Sequence, residues 1–260
     1  MVSNYMYKMI YIDDAVKHFI QSIINEYMID PSEEVVCEAI SGKDLDLPSN
    51  EYVLIRGPEI LLTCKFRGEA GQVFTVSPKG YKGKVKDIIN LDLSSIYYRS
   101  IFYAFSNALL KSLGLINKSI HCEKDDPIKC SKLLVEYLIE KYGSSKKVLH
   151  IGYQPGHVSE LYKFYRENLL ITDLRSDTVW RIKNHRLVYD GLFNNIYIGV
   201  SDIVLVTASS ITNSSFWSIL SQAYLMGKHM IMYGVSAGAV YYFINKYTPY
   251  KIELFCPLSK

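Results

Sequence analysis

"VLHIGYQPGHVSELYKFYRENLLITDLRSD", Val148 to Asp177, decides how the second half of this 260-residue chain folds. Val148–Ile151 is a short apolar run ended by glycine. Val158–Glu167 carries helical spacing, and Leu169–Thr172 is a second apolar run that closes on Asp173. Strand, turn, helix, strand is the unit from which parallel sheets are built. Gly152 permits a sharp turn and a close approach of ligand to backbone, and Gly156 opens the helix. Asp173 stands where an acid can accept from a ribose hydroxyl. The glycine spacing is G-x-x-x-G with Pro155 inside, not the dinucleotide fingerprint G-x-G-x-x-G. A nicotinamide dehydrogenase is therefore disfavoured.

The same alternation continues outward. Ile203–Val206 and Met230–Tyr233 read as strands, Ser215–Met226 as a helix closed by Gly227, and Ile252–Phe255 as a last strand. Helix Ile128–Tyr142 precedes them. The expected class is α/β, a Rossmann-like, mostly parallel sheet with helices on both faces. Ligands in such sheets sit at the carboxyl ends of strands. The loops that follow those ends are rich in Gly, Ser, Thr, Asn and Asp, residues that offer hydroxyls and open backbone amides. They supply the candidate ligand contacts: Gly152, Gln154, Pro155, Gly156 and His157; Asp173 and Arg175; Ser209, Thr212 and Asn213; Gly234 and Ser236.

Several of these have specific chemistry. His157 suits a general acid or base, or a metal ligand. His150, inside an apolar strand, reads as a core histidine. Arg175 can hold a carboxylate or phosphate. Ser236 in "GVSAG" mimics a nucleophile elbow. That fold places its histidine after the serine, and the last histidine here, His229, comes before it.

The first half has a different grammar. Asp13–Met28 is helical, with Asp13 or Asp14 as its cap. Val35–Ile40, Tyr52–Ile55, Ile60–Phe66 and Gln72–Val76 form an antiparallel meander of short strands separated by turn residues. A helix from about Ser95 to Leu113 follows, ended by Gly114 and carrying Arg99, Tyr103, Ser106 and Asn107 as polar exceptions. Ser106 and Asn107 are expected on a solvent edge, with Asn107 also a candidate for the cleft. The expected organisation is a smaller α+β domain at 1–125 and the α/β domain at 126–260.

Composition bounds function. Net charge is +3, and the densest basic stretch, "YKGKVKD" at Tyr81–Asp87, reads as a solvated loop, so nucleic acid is not an expected partner. No apolar run is long enough for a membrane span, and the N-terminus lacks a leader pattern. The five cysteines, Cys37, Cys64, Cys122, Cys130 and Cys256, are widely and oddly spaced and read as free thiols in the cytoplasm. His121, Cys122 and Cys130 lie close together, but their spacing fits no zinc pattern and a further ligand is not evident. The 22 tyrosines, plentiful Lys and Ile, and scarce Gln are compatible with a thermophilic source. A homo-oligomer is left open.

"KKVLHIGYQPGHVSEL", "DIVLVTASSITNSSFWSIL" and "HMIMYGVSAGAVYYF" together resemble the domain of unknown function 364 family, to which heavy-metal chelation is ascribed. "IYYRSIFYAFSNALL" is similar to that family's helix with an Asn-Ala pair, here Asn107 and Ala108. The meander resembles its enolase-N-terminal-like domain. The resemblance implies a small molecule, or a metal-bearing one, bound between the domains by Gly152, Pro155, Asp173, Ser209, Asn213, Gly234 and Ser236. Gln154 stands where the family often has an aromatic residue, and Asp173 where it commonly has Glu. The rival reading is a methyltransferase using S-adenosylmethionine as cofactor; a third is a non-catalytic scaffold.

Overall fold

The computed structural model describes residues 2–41, 59–77, 79–122 and 124–260. Its first half contains α1 (Val2–Glu26), β1 (Glu34–Ser41), β2 (Ile60–Phe66), β3 (Glu69–Thr75), β4 (Tyr81–Lys84), α2 (Val85–Ile89) and α3 (Ile96–Ser112). The four strands form an antiparallel sheet in the order β3-β2-β1-β4. "YKGKVKD" is thus not a loop: β4 pairs with β1, and α2 follows at once. The strand expected at Tyr52–Ile55 lies outside the described residues.

Three side-chain expectations are overturned in this half. Cys37 and Cys64 face each other directly across β1 and β2 and are joined by a disulfide, so only three cysteines remain outside one. Their separation of 27 residues gives no hint of this pairing; the strand register creates it. Ser106 and Asn107 do not face solvent. Every residue of α3 from Arg99 to Leu110 is buried, because the helix lies between the two sheets of the molecule and has no outer face. Ser106 returns its hydroxyl to the Phe102 carbonyl at 2.7 Å. Gly71 lets β3 lie directly on α3: a Cβ there would meet the Ala104 carbonyl oxygen at 2.3 Å.

Asp13 is likewise not a cap. The helix begins eleven residues earlier, at Val2, and Asp13 is buried within it. Its carboxylate pairs with Arg99 Nε at 3.3 Å and accepts from Tyr103 Oη at 2.6 Å and Trp217 Nε1 at 3.1 Å. A buried carboxylate survives only with such a full set of partners.

The second half runs α4 (Asp126–Tyr142), β5 (Val148–Ile151), α5 (Pro155–Tyr165), β6 (Leu169–Asp173), β7 (Ile182–Lys183), β8 (Arg186–Asp190), α6 (Asn194–Val200), β9 (Ile203–Thr207), α7 (Ser209–Thr212), α8 (Phe216–Leu225), β10 (His229–Tyr233), α9 (Gly238–Tyr247) and β11 (Glu253–Phe255). The seven-stranded sheet has the order β11-β10-β9-β5-β6-β8-β7, and only the β7–β8 pair is antiparallel. This is the expected mostly parallel sheet flanked by helices. The β7–β8 hairpin, α6 and α9 were not legible as elements in the sequence.

Period-two alternation sorts the strand side chains to two cores. Ile203 and Leu205 of β9 join Leu134, Leu138 and Leu161 from α4 and α5 on one face. Val204 and Val206 point the other way, into a core shared with α1, α3 and the antiparallel sheet. The chain leaves β5 to build β6 and β8 on one side, then crosses back to place β9 on the other. The direction of winding therefore reverses beside β5.

Candidate functional site

The carboxyl ends of β5 and β9 are adjacent at this reversal, the place where open parallel sheets leave a crevice. A cavity of about 210 Å³ lies there. The loops after β5, β6, β9 and β10 line it, and Phe74 of β3 and Glu59 just before β2 close it from the antiparallel sheet.

Of the expected contacts, Gly152, Gln154, Pro155, His157, Asp173, Arg175, Ser209, Asn213 and Gly234 line the cavity. Gly156, Thr212, Ser236 and Asn107 do not. The last three are buried fasteners between the two halves. Phe74 donates its backbone N–H to Ser236 Oγ at 3.0 Å, and Thr212 Oγ1 donates to the Phe74 carbonyl at 2.9 Å. Asn107 accepts from Ala239 N at 2.8 Å and donates to the Gln72 carbonyl at 3.2 Å. A small polar residue at a close approach serves packing as readily as ligand, which is why sequence alone assigned them to the cleft.

The opening turn is built by local bonds. Gly152 has φ +88, and a Cβ there would meet Thr207 Cγ2 at 2.7 Å. Gln154 is the N-cap of α5, its side-chain oxygen accepting from the His157 N–H, and Pro155 occupies the first turn without losing a bond. Tyr233 Oη ties β10, one strand beyond the neighbouring β9, to this turn, donating to the Gly152 carbonyl at 2.7 Å.

Asp173 organises two loops. One carboxylate oxygen accepts from Tyr153 N at 2.6 Å, the other from Arg175 N at 2.8 Å. Burial raises its proton affinity, and these donors with the Arg175 charge restrain the rise. Arg175 reaches Asp177 through Nε at 3.1 Å and Nη2 at 2.5 Å. Asn213 accepts from Ser215 N at 3.0 Å and from Ser215 Oγ at 2.7 Å.

Glu59 escaped sequence reasoning because it lies just before β2 of the other sheet, 114 positions ahead of Asp173 in the chain. Burial first, and the nearby Asp173 charge second, push its carboxyl up to about 7, while Arg175 opposes the shift. His157, 4% exposed, is held neutral by burial and by its neighbour His150, with His150 Nε2 3.3 Å from His157 Nδ1. Burial lowers His150 itself to about 3. The site thus combines an acid that titrates near neutrality, a tethered guanidinium and a neutral imidazole. Among the described residues, no three His, Cys, Asp or Glu side chains are already arranged around a metal ion.

With the geometry in place, family comparison is informative. Residues 137–248, from α4 through α9 and including four cleft loops, match the DUF364 family model, described as "Putative heavy-metal chelation". The match spans 112 of the 260 residues. A DUF364 protein of unknown function from Pyrococcus horikoshii has a similar structure, with TM-score 0.51 and 14% identity, covering 85% of this chain and 78% of that one. Another, from Desulfitobacterium hafniense DCB-2, matches with TM-score 0.49 and 14% identity over 90% of this chain and 85% of that one. At that identity the likeness to the first concerns the fold. No curated protein matches the chain. Among the described residues, no helix is long and apolar enough to cross a membrane.

Proposed function

We propose that this protein binds a small metal-chelating or anionic organic molecule in the cleft between its two sheets. The observation that carries the reading is the enclosure of one cavity by loops from both halves with Glu59 and Arg175 on its wall. Arg175 Nε and Nη2 engage Asp177, which leaves Nη1 for an anionic group of the ligand. Glu59 accepts a donor or cation when ionised and donates a hydrogen bond when protonated. With Nδ1 engaged by His150, the neutral His157 has only Nε2 left, a donor or an acceptor according to tautomer rather than a charge.

The nucleoside reading draws less support. A ribose-binding acid needs a carboxylate directed at the ligand, and both oxygens of Asp173 already accept backbone N–H groups.

Thermal unfolding of the native chain with metal-chelating polycarboxylates, pterins, nucleosides and S-adenosylmethionine tests the proposal. At a hundred times Kd a ligand adds about 2.7 kcal/mol of stability. The expected result is stabilisation by a chelating or anionic compound, lost in Arg175→Ala. No shift with any of these compounds at millimolar concentration would overturn it, and stabilisation by S-adenosylmethionine alone would favour the methyltransferase.

A further inference from the structure

The outward side of α6 is as apolar as a core face. Leu192 and Phe193, in the turn leading into the helix, and Ile196 and Val200 within it are all exposed, Leu192 at 77%, Ile196 at 56% and Val200 at 54%. Steps of four residues set Leu192, Ile196 and Val200 in one stripe. Asn195 is the only polar side chain among the exposed positions from Leu192 to Val200. On the inward side Asn194 and Ile198 are buried. A helix that is apolar all round belongs in an interior. Among the described residues, nothing covers the outer side of this one.

The apolar surface extends past the helix at both ends. A Cβ on Gly199 would lie 3.8 Å from Met226 Sδ, so α6 abuts the exposed end of α8, where Leu225 and Met226 face solvent. At the other end Tyr197 stacks on Tyr189 of β8 with ring centroids 4.7 Å apart, and Tyr189 meets the exposed Trp180 edge-on at 6.1 Å. At roughly 100 Å² open per half-exposed large side chain, the patch presents on the order of 700 Å² of apolar surface. That exceeds the largest patch on a typical monomer, about 300–600 Å². It approaches the roughly 800 Å² per partner of a standard protein interface.

We infer that this face is the interface of a two-fold homodimer, with the α6 stripes of two copies packed against each other and Ile196 near the axis. The charge pattern selects the occupant. No charged residue occurs from Gly191 to Ser201 or from Ile203 to Gly227. Helices that lie on membranes carry Lys and Arg along their polar side, and α6 and α8 carry none. Partners recognised through complementary charge find nothing to pair with here. A second copy brings the same uncharged stripe, which a two-fold axis makes self-complementary, and homodimer interfaces are the more apolar class. Gly191 and Asn194, at the start of the same helix, line the cavity, so a second copy packed here braces one wall of the cleft.

Sedimentation velocity of the full-length chain across a micromolar concentration series tests the assignment, with circular dichroism of each variant. The wild type should be a dimer. Ile196→Asp should raise the dimer dissociation constant at least about thirtyfold, the effect of losing a 2 kcal/mol central contact. Phe164→Asp should leave it unchanged, because that exposed ring sits on α5, against the opposite face of the sheet. Asn195→Cys, beside the axis, should cross-link two copies on mild oxidation, which keeps the test decisive where Ile196→Asp does not fold. A monomeric wild type throughout the series would overturn the inference, as would an unchanged dimer in folded Ile196→Asp or no cross-link through Asn195→Cys. Flotation of the wild type with phosphatidylcholine vesicles, lost in Ile196→Asp, would overturn it in favour of a lipid surface.

Discussion

Ser236 accepts the backbone N–H of Phe74, a residue 162 positions away, at 3.0 Å. Thr212 holds the carbonyl of the same residue. Two side chains from the parallel half thus imitate the partner strand that β3 lacks on that side, and they set the Phe74 ring against the cleft. Ser236→Ala should cost about 1–3 kcal/mol, the penalty for an unsatisfied buried donor. Chemical denaturation measures it. Ligand affinity should fall as well, and an unchanged midpoint would show that water replaces the hydroxyl.

Glu59 predicts an unusual pH response. Its folded pKa, about 7, lies above its ordinary value of 4.5, so the folded state holds the proton more tightly than the unfolded chain. Its contribution to stability is therefore fully present below about 4.5 and is lost as pH rises through about 7. An anionic ligand should follow the same sign, binding more weakly as Glu59 ionises. Glu59→Gln should flatten the change in affinity between pH 6 and 8. Calorimetric titration across that range is the measurement.

The buried Asp13–Arg99 pair predicts an asymmetry. Removing one partner by Arg99→Met strands a carboxylate in the core and should cost about 3–5 kcal/mol. The double change Asp13→Leu/Arg99→Met should recover part of that loss. A double-mutant cycle in urea decides it, and strict additivity would sink the claim.

The Cys37–Cys64 disulfide closes a loop whose ends pair directly across two strands. Reduction should lower stability by about 2–4 kcal/mol. Because the bond lies in the antiparallel sheet and not on the cavity wall, binding of an anionic ligand in the cleft should persist after reduction, read by calorimetric titration.

The sequence carried five of the seven strands of the larger sheet to within one residue, because apolar runs between helical segments have no competing interpretation. Val148–Ile151, and Ile60–Phe66 of the antiparallel sheet, were placed at their observed bounds. The failures share one physical origin. Asp13, Ser106, Asn107 and Ser236 are polar residues buried by partners distant in the chain, and local pattern assigns such residues to caps, solvent or ligand. Glu59 and Cys256 were missed for the converse reason: each lies in an undistinguished stretch and reaches the cleft only through topology. Loops after parallel strands announce themselves by composition, whereas the walls opposite them do not.

The burial of α3 on all sides has a mechanical consequence. A protein that clamps ligand between hinged lobes needs a surface along which the lobes part. Here the helix is a common axle, wedged against β2 and β3 on one side and bonded through Asn107 to Ala239 on the other. Parting the sheets would tear open that shared core. A ligand bound there as proposed would enter by displacement of strand-end loops and side chains, meeting a fixed mould rather than a jaw.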